Sequence, residues 1–342
     1  MNSKKSLPIG KLPSELLARL LAQAPADDPR VLLKPGIGLD CAVVDAGSTL
    51  FVYKSDPITF ATDEIGWYLV QVNANDIATT GATPRWLLAT LLLPEKQTTE
   101  ELVEQISGQI YKACREIGVS VIGGHTEITF GLERPIVIGT MIGEVERERL
   151  ITPRGARPGD RVLLTKGVPV EATAILAREF PHRLRDVLSA EELDQARAFL
   201  HEPGISILRE ARIATQAGRV TAMHDPTEGG LAAALWELAE ASGTSLYVDP
   251  DAVPVPTLSA RVCQAFGIDP LAAIASGALL LATPASDAPH IRRALETEGI
   301  VCAEVGVVEA GPAAAWQKKG AGREALPRPE RDEIARVFEE IE

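Results

Sequence analysis

The sequence predicts an α+β protein, built of α/β layers, with two domains. The chain has 342 residues, a length typical of two domains. Segments in which apolar residues recur at helical spacing alternate with short apolar runs typical of strands. A cluster of Arg, Pro and Gly in RGARPGDRVLLTKG, at 154–167, interrupts this pattern midway. We therefore place the domains at 1–153 and 154–342.

In the N-terminal half, helices are predicted where an apolar face runs between a capping residue and a glycine. Strands are predicted where short apolar or alternating runs end at turn residues. The predicted helices are 14–24, 64–81 and 98–118, and the predicted strands are 42–45, 50–55, 86–93, 119–124 and 135–146.

The C-terminal half repeats the alternation, with a charged helix at the end of the tail, 327–342. The mixture predicts a second layer of helices on a sheet. The predicted helices lie near 170–179, 204–217, 229–242, 256–267 and 286–298, and the predicted strands near 161–165, 244–248, 278–283 and 301–308.

Composition excludes several function classes. The net charge of −13 argues against nucleic acid and anionic membrane as partners, since both require a basic surface. Aromatic residues make up only 4%, too few for base-stacking platforms. The four cysteines are scattered without a CxxC pair, and no apolar run is long enough for a membrane span. We therefore expect a cytoplasmic protein.

Three aspartates and a lysine in the N-terminal half are candidate site residues. Asp40 follows a glycine-containing loop, Lys54 and Asp56 lie near the end of a strand, and Asp76 lies on the apolar side of a helix. Singly, each acid is explained as a turn or cap residue. If the acids meet, their repulsion is about 4 kcal/mol per pair at 4 Å, and a divalent cation would cancel it. Oxygen ligands of this kind favour Mg²⁺ held together with phosphates.

The stretch MHDPTEGG, 223–230, precedes a helix with an apolar face. Asp225 or Thr227 would accept the first backbone N–H groups of that helix. The two glycines are costly in a first turn, but they leave free N–H donors at the positive end of the helix. Two interpretations of this stretch remain open: it only starts the helix, or it also binds a ligand. Neither a Walker loop nor a GxGxxG fingerprint occurs in the chain.

Taken together, the motifs resemble one superfamily. They are GxxDxAVV, KSDP, NxNDIxxxGAxP, GGHTE, PGDRVLLTKG, DPTxGGLAAALWELA and ASGALLLAT, in that order along the chain. The set is similar to aminoimidazole ribonucleotide (AIR) synthetase, selenophosphate synthetase, thiamine-monophosphate kinase and the hydrogenase expression/formation protein E, and it is most similar to the last.

The resemblance implies a two-domain AIR-synthase-like fold in which N-terminal strands of two copies form a β-barrel, so that the protein is a homodimer. It implies ATP and Mg²⁺ in the cleft between the domains and phosphorylation of an amide-type oxygen. A maturation partner protein is also implied.

The roles that the resemblance implies fall into three groups. The metal ligands are Asp40, Asp56 and Asp76. The catalytic residues are His125, Glu127, Asp225 and Glu228. The nucleotide-binding residues are Lys11, Gly36, Gly38, Lys54, Asn73, Asn75, Gly123, Gly124, Thr227 and Gly229.

The chain departs from the hydrogenase protein in three places. It ends in FEEIE, without the C-terminal cysteine that carries a carbamoyl group in that protein. Glu127 replaces a lysine, and Ser276 replaces a glutamate. We therefore expect phosphoryl transfer to an oxygen of a small amide or carbamoyl compound without this thiol carrier. Hydrogenase maturation with a thiol from another chain and a non-catalytic ATP-binding assembly factor remain alternatives.

Overall fold

A computed structural model describes residues 7, 12–25, 27–59 and 63–340. Two β-sheets, each with helices packed on it, make up the fold. The predicted α+β class is confirmed. None of the helices in the described ranges is both long and apolar enough to cross a membrane.

The first sheet has six strands in the order β1-β2-β3-β6-β4-β5, antiparallel except for the parallel pair β4–β5. Helices α2 and α3 pack on one face of it. Its elements are α1 (Ser14–Leu21), β1 (Val31–Leu33), β2 (Ala42–Asp45), β3 (Leu50–Ile58), α2 (Ile65–Thr79), β4 (Thr83–Pro94), α3 (Glu100–Ile117), β5 (Ser120–Thr129) and β6 (Ile136–Val145).

The second sheet has seven strands in the order β13-β12-β9-β11-β7-β10-β8, antiparallel except for the parallel pair β12–β9. Its strands are β7 (Arg161–Thr165), β8 (Ala222–His224), β9 (Ser245–Val248), β10 (Leu280–Thr283), β11 (Cys302–Glu309), β12 (Ala314–Lys319) and β13 (Gly322–Ala325). Its helices are α4 (Val170–Glu179), α5 (Pro181–Leu184), α6 (Ala190–Ala198), α7 (Leu208–Ala217), α8 (Gly230–Ser242), α9 (Thr257–Phe266), α10 (Ala288–Thr297) and α11 (Glu333–Glu339).

Most predicted elements are present within a few residues of their expected bounds. The strand expected at 119–124 is the main correction. It continues to Thr129 as β5, and nearly all of it is exposed at the edge of the sheet. Apolar content alone does not distinguish a central strand from an edge strand. The short strands β1, β8, β12 and β13 and helices α5 and α6 were not predicted.

The two sheets lie on either side of the expected domain boundary, since β6 ends at Val145 and β7 begins at Arg161. The division at 153/154 itself stays a prediction. Side chains on α2 reach the second half of the chain directly. The Asn75 Nδ2 donates to the carbonyl of Ile205 at 2.7 Å, and its Oδ1 accepts from the amide of Ile207 at 2.9 Å. One buried amide therefore joins the two halves.

Candidate active site

A buried lysine lies among the acids of the first half. Lys54 Nζ is 3.2 Å from an oxygen of Asp56 and 3.3 Å from one of Asp76. The residues meet because β3 places Lys54 and Asp56 on the face covered by α2, where Asp76 lies. Burial lowers the pKa of Lys54, but the carboxylates of Asp76, Asp40 and Asp56 outweigh it and raise that pKa well above its usual value. Lys54 therefore stays charged.

Asp76 has too few counter-charges. It is 3% exposed, and burial raises its pKa well above the usual value, opposed by Lys54 and reinforced by Asp225, Asp40 and Asp56. The ammonium group of Lys54 is thus a counter-charge shared by several carboxyls. A site of this kind attracts a further cation.

Residues of the second half complete the cluster. His224 ends β8, and its Nε2 lies 2.8 Å from Glu237 Oε2 on α8. Its Nδ1 lies 3.1 Å from Asp40 Oδ2. Burial lowers the pKa of His224, but Asp40 and Glu237 outweigh it and raise that pKa well above its usual value. Asp225 is 2% exposed, and burial together with Asp40 raises its pKa to about 6.

Among the described residues, one group of three side chains is arranged to hold a metal ion. It consists of Asp40, His224 and Asp225, whose ligand atoms all lie within 4.8 Å of one another. The predicted metal set was Asp40, Asp56 and Asp76. Within that set, the Lys54 ammonium occupies the space between Asp56 and Asp76. Of the three predicted metal ligands, Asp40 is therefore the one that lies beside other possible ligands, His224 and Asp225.

The two asparagines predicted to bind nucleotide have other partners. Both are fully buried. Asn73 Oδ1 accepts from the amide of Asp56 at 3.1 Å, and its Nδ2 donates to the carbonyl of Leu69 at 2.9 Å. The side-chain amide of Asn75 forms hydrogen bonds with the backbone of Ile205 and Ile207. They position the acids and join the halves of the chain, and their direct contact with a nucleotide stays a prediction.

His125 and Glu127 lie away from the cluster within one chain. Register pairs His125 with Thr90 and Glu127 with Leu92, which alternate with the buried Leu91 and Leu93. Both therefore project from the face opposite α2, where they are exposed.

Gly123 and Gly124 lie within β5 and are also distant from the cluster. Asp56 pairs with Gly139, which pairs with Ala89, which pairs with Gly124. Three strand spacings separate Asp56 from Gly124, about 14 Å. Their roles at the site stay predictions.

The glycines of the predicted phosphate loops have packing roles. Gly38 has φ +68°, and a Cβ there would lie 2.7 Å from the carbonyl of Glu237 on α8. A Cβ on Gly124 would overlap the carbonyl of Ala89. Gly36 lies in the same loop as Gly38, where a Cβ would meet the side chain of Leu39 at 2.8 Å. Lys11 lies outside the described residues.

The start of α8 is capped by a distant carboxylate. Neither Asp225 nor Thr227 caps it. Instead, the amide of Gly229 donates to Asp332 Oδ2 at 2.6 Å, and the amide of Ile334 donates to Asp332 Oδ1 at 2.9 Å. Burial raises the pKa of Asp332 to about 6, partly offset by these amides. The anion expected at this helix terminus is thus supplied by the chain itself, while Thr227 and Glu228 remain partly exposed beside it.

Sequence analysis missed a buried carboxyl close to this helix start. Glu171 lies in the first turn of α4 and is 5% exposed. Burial raises its pKa to about 7, partly offset by hydrogen bonds from Ser276, while Asp332 and Glu228 raise it further. Its Oε2 has no partner among the described residues. Its apolar neighbours in the sequence do not indicate that this carboxyl is buried.

The raised pKa of Glu171 predicts a pH-dependent stability. The folded state holds this proton up to about pH 7, whereas an unfolded glutamate releases it near 4.5. The folded protein should therefore lose up to about 3 kcal/mol as pH rises from 4.5 through 7. Glu171→Gln should flatten that part of the profile and be more stable at pH 8. Denaturant unfolding at pH 5 and 8 measures both effects, with the exposed Glu179→Gln on the same helix as control. Parallel profiles for Glu171→Gln and wild type would contradict this assignment.

The cysteines do not provide a reactive thiol. All four are buried, and burial raises the pKa of Cys114 to about 11 and of Cys263 and Cys302 to about 12. Cys41 is beside the cluster, but its Sγ donates to the carbonyl of Asp76 at 3.3 Å, and burial with Asp76 raises its pKa well above the usual value. A thiolate is the reactive form, so no described cysteine is suited to nucleophilic chemistry.

Comparison with known proteins shows which family the chain belongs to. The model of the AIR synthase related protein N-terminal domain matches residues 38–145, and the model of the AIR synthase related protein C-terminal domain matches residues 157–318. A putative hydrogenase expression/formation protein of Methanocaldococcus jannaschii is 31% identical, over 74% of this chain and 75% of the relative. The chain belongs to the AIR synthase related family.

Other members of the family are similar over more of the chain. A carbamoyl dehydratase HypE of Azotobacter vinelandii is 30% identical, over 88% of this chain and 85% of the relative. The crystal structure of hydrogenase maturation protein HypE in complex with ATP superposes with a TM-score of 0.70 at 24% identity, over 92% of this chain and 95% of that one. At that identity the superposition establishes the shared fold.

Proposed function

We propose that this protein is an ATP- and Mg²⁺-dependent enzyme that phosphorylates an amide- or carbamoyl-type oxygen of a small substrate and so activates it for loss. The observation that carries the proposal is the buried cluster shared by the two halves of the chain. It combines one ammonium group, Lys54, with several carboxyls from two domains. The relatives named carbamoyl dehydratase and the ATP complex of a HypE protein support it.

The chain's own residues would act by positioning and charge balance, as phosphoryl transfer generally requires. Lys54 would contact phosphate oxygens, since its ammonium group lies in the cluster beside Asp56 and Asp76. Mg²⁺, when bound, would neutralise phosphate charge, and Asp40, Asp56 and Asp76 are the oxygen ligands available for it. Their oxygen chemistry fits Mg²⁺.

The homodimer is part of this proposal. Nine of the ten residues of β5 are exposed at the sheet edge, and Ile122, Ile128 and Phe130 are 53%, 59% and 83% exposed. An open edge with apolar side chains is suited to pairing with a second copy. Such pairing would also cover the face that carries His125 and Glu127.

A second candidate is hydrogenase maturation with the thiol supplied by another chain. The similarity to a putative hydrogenase expression/formation protein favours it, and so does the similarity of the fold to a crystal structure of a HypE–HypF complex. The burial of all four cysteines requires that the thiol come from the partner.

Nucleotide binding tests the proposal first. Mg-ATP at 100 times its Kd should stabilise the protein by about 2.7 kcal/mol and raise its Tm by about 5–10 °C. Asp76→Asn should abolish this shift, and replacement of Asp45, a half-buried acid on β2 that pairs with Arg147, by Asn should keep it. Release of ADP or phosphate is then measured in the presence of carbamoyl compounds. No thermal shift would reject nucleotide binding, and a shift without turnover would favour the non-catalytic assembly factor.

A further inference from the structure

A groove beside the linker between the two sheets lies apart from the buried cluster, and we call it the linker groove. Its walls are the C-terminal ends of α2 and α3, the start of β4, the segment 148–157 and helix α7. Of the described residues that line it, none belongs to the cluster of Lys54 and its acids. The groove has a volume of about 1130 Å³. Small-molecule sites typically have about 300–1,000 Å³, so this groove is larger than a small metabolite requires.

The length and lining of the linker groove suit an extended peptide segment. The lining follows α7 from Leu208 to Gly218, which is about 15 Å of helix at 1.5 Å per residue. An extended chain advances about 3.3 Å per residue, so four or five residues of a peptide would lie along this wall. The lining also includes the half-buried side chains of Ile117, Leu150 and Ile151. A peptide bound here would therefore bury apolar side chains as well as contact charged ones.

The charge of the lining is opposite to that of the protein. Of the described residues that line the groove, five are arginines and two are glutamates. The whole chain, by contrast, carries a net charge of −13. Arg149 and Arg209 are paired with Glu146 and Glu298, which do not belong to the lining. A basic surface on an acidic protein favours a partner segment of negative charge.

The other three arginines have no carboxylate partner. Arg157, Arg212 and Arg219 are exposed, and within the described ranges their guanidinium groups form no ion pair. Arg157 lies in the linker, Arg212 in α7 and Arg219 just after α7. The last two are separated by about 10 Å along the helix axis. The three guanidinium groups are thus distributed along the groove, and each can bind a carboxylate through two hydrogen bonds.

A phosphate compound is the competing occupant of the linker groove. Phosphate groups typically bind at helix N-termini, where several free N–H groups converge. Helices α2 and α3 instead end at the groove, and the C-terminal end of a helix has free carbonyl groups. Donors distributed along the groove match carboxylates spaced along a peptide better than one compact phosphate chain. The N-terminal residues 1–11 carry lysines and no acid, so they do not match the groove in charge.

We propose that the linker groove binds an acidic, extended segment of a partner protein, with Arg157, Arg212 and Arg219 pairing with its carboxylates. The proposal goes beyond the proposed function, which requires only the buried cluster with ATP, Mg²⁺ and a small substrate. Because the walls come from both halves of the chain, a bound segment would contact both halves beside the linker.

Fluorescence anisotropy with a labelled peptide tests the proposal. The probe is a fluorescein-labelled peptide of about ten residues in which pairs of Glu alternate with Leu and Gly, and its counterpart has Gln at every Glu. We expect the Glu peptide to bind at least about 10-fold more tightly than the Gln peptide, and added NaCl should weaken it. Arg212→Glu and Arg219→Glu should each weaken binding about 10-fold, and Glu148→Gln, which removes an acid of the lining, should strengthen it about twofold. Arg185→Glu is the matched control, since Arg185 is also exposed but follows α5, outside the groove.

Three results would overturn the proposal. They are no binding of the Glu peptide below about 1 mM, equal binding by Arg212→Glu, Arg219→Glu and Arg185→Glu, and tighter binding of tripolyphosphate than of the peptide. The last result would identify a phosphate site. If the arginine variants do not fold, the two peptides on the wild-type protein still decide. The thermal shift with Mg-ATP should be the same in Arg212→Glu as in the wild type, so the proposed function and the peptide groove fail independently.

Discussion

Replacing Lys54 by methionine is expected to lower the free energy of unfolding by about 3–5 kcal/mol. Methionine has a similar length but no charge, so the carboxyls of Asp56 and Asp76 would lose the ammonium group that lies 3.2 and 3.3 Å from them. Breaking a buried ion pair from one side leaves the other charge uncompensated. Part of the loss should be recovered at acidic pH, because protonation of the freed carboxyls removes their repulsion. Urea unfolding at pH 7.5 and pH 5 measures both effects.

Lys112→Met is the matched control for this change. Lys112 is exposed and lies 4.0 Å from Glu116 one helical turn away. An exposed pair of this kind contributes under about 1 kcal/mol. If Lys54→Met costs no more than Lys112→Met, Lys54 is not the main counter-charge of the cluster.

Replacing Asn75 by alanine should be the second large effect. The change removes the donor to the Ile205 carbonyl and the acceptor for the Ile207 amide, both buried. Each unsatisfied buried group costs about 1–3 kcal/mol, so the expected loss is about 2–5 kcal/mol. Amide hydrogen exchange adds a local measurement, since exchange at Ile207 should accelerate more than global destabilisation accounts for.

Asn73→Ala separates this effect from the general cost of losing a buried amide. Asn73 bonds to Asp56 and Leu69, both within the first half of the chain. It should lower stability without a specific change at Ile207. Equal exchange at Ile207 in both variants would contradict the role of Asn75 as the link between the halves.

The sequence was most informative where function and local structure coincide. Asp40, Lys54 and Asp76 were found because each lies beside a strand end or helix face with a recognisable pattern, and the structure brings Lys54 and Asp76 into contact. The same patterns placed His125 and Glu127 at the site. That placement stays a prediction, since within one chain β5 lies at the sheet edge and its register sets those side chains on the opposite face.

Contacts between segments that are distant in the chain could not be predicted from the sequence. His224 was visible in MHDPTEGG but was not assigned a role, because nothing local shows that Glu237 and Asp40 lie on either side of its ring. Asp332 caps a helix that begins about a hundred residues earlier, and Glu171 contacts Ser276. Such pairings are set by how the second sheet is assembled.

The cap at Gly229 also sets an order of events during biosynthesis. The amide and the Asp332 carboxylate that accepts from it are separated by 103 residues. At 5–20 residues per second, the ribosome adds that interval in about 5–20 s. Throughout that time the first half of the chain has been synthesised, but the entrance of α8 has no cap. The nascent protein therefore lacks this cap until Asp332 has been synthesised, and ligand binding at the entrance of α8 before that point should be weak.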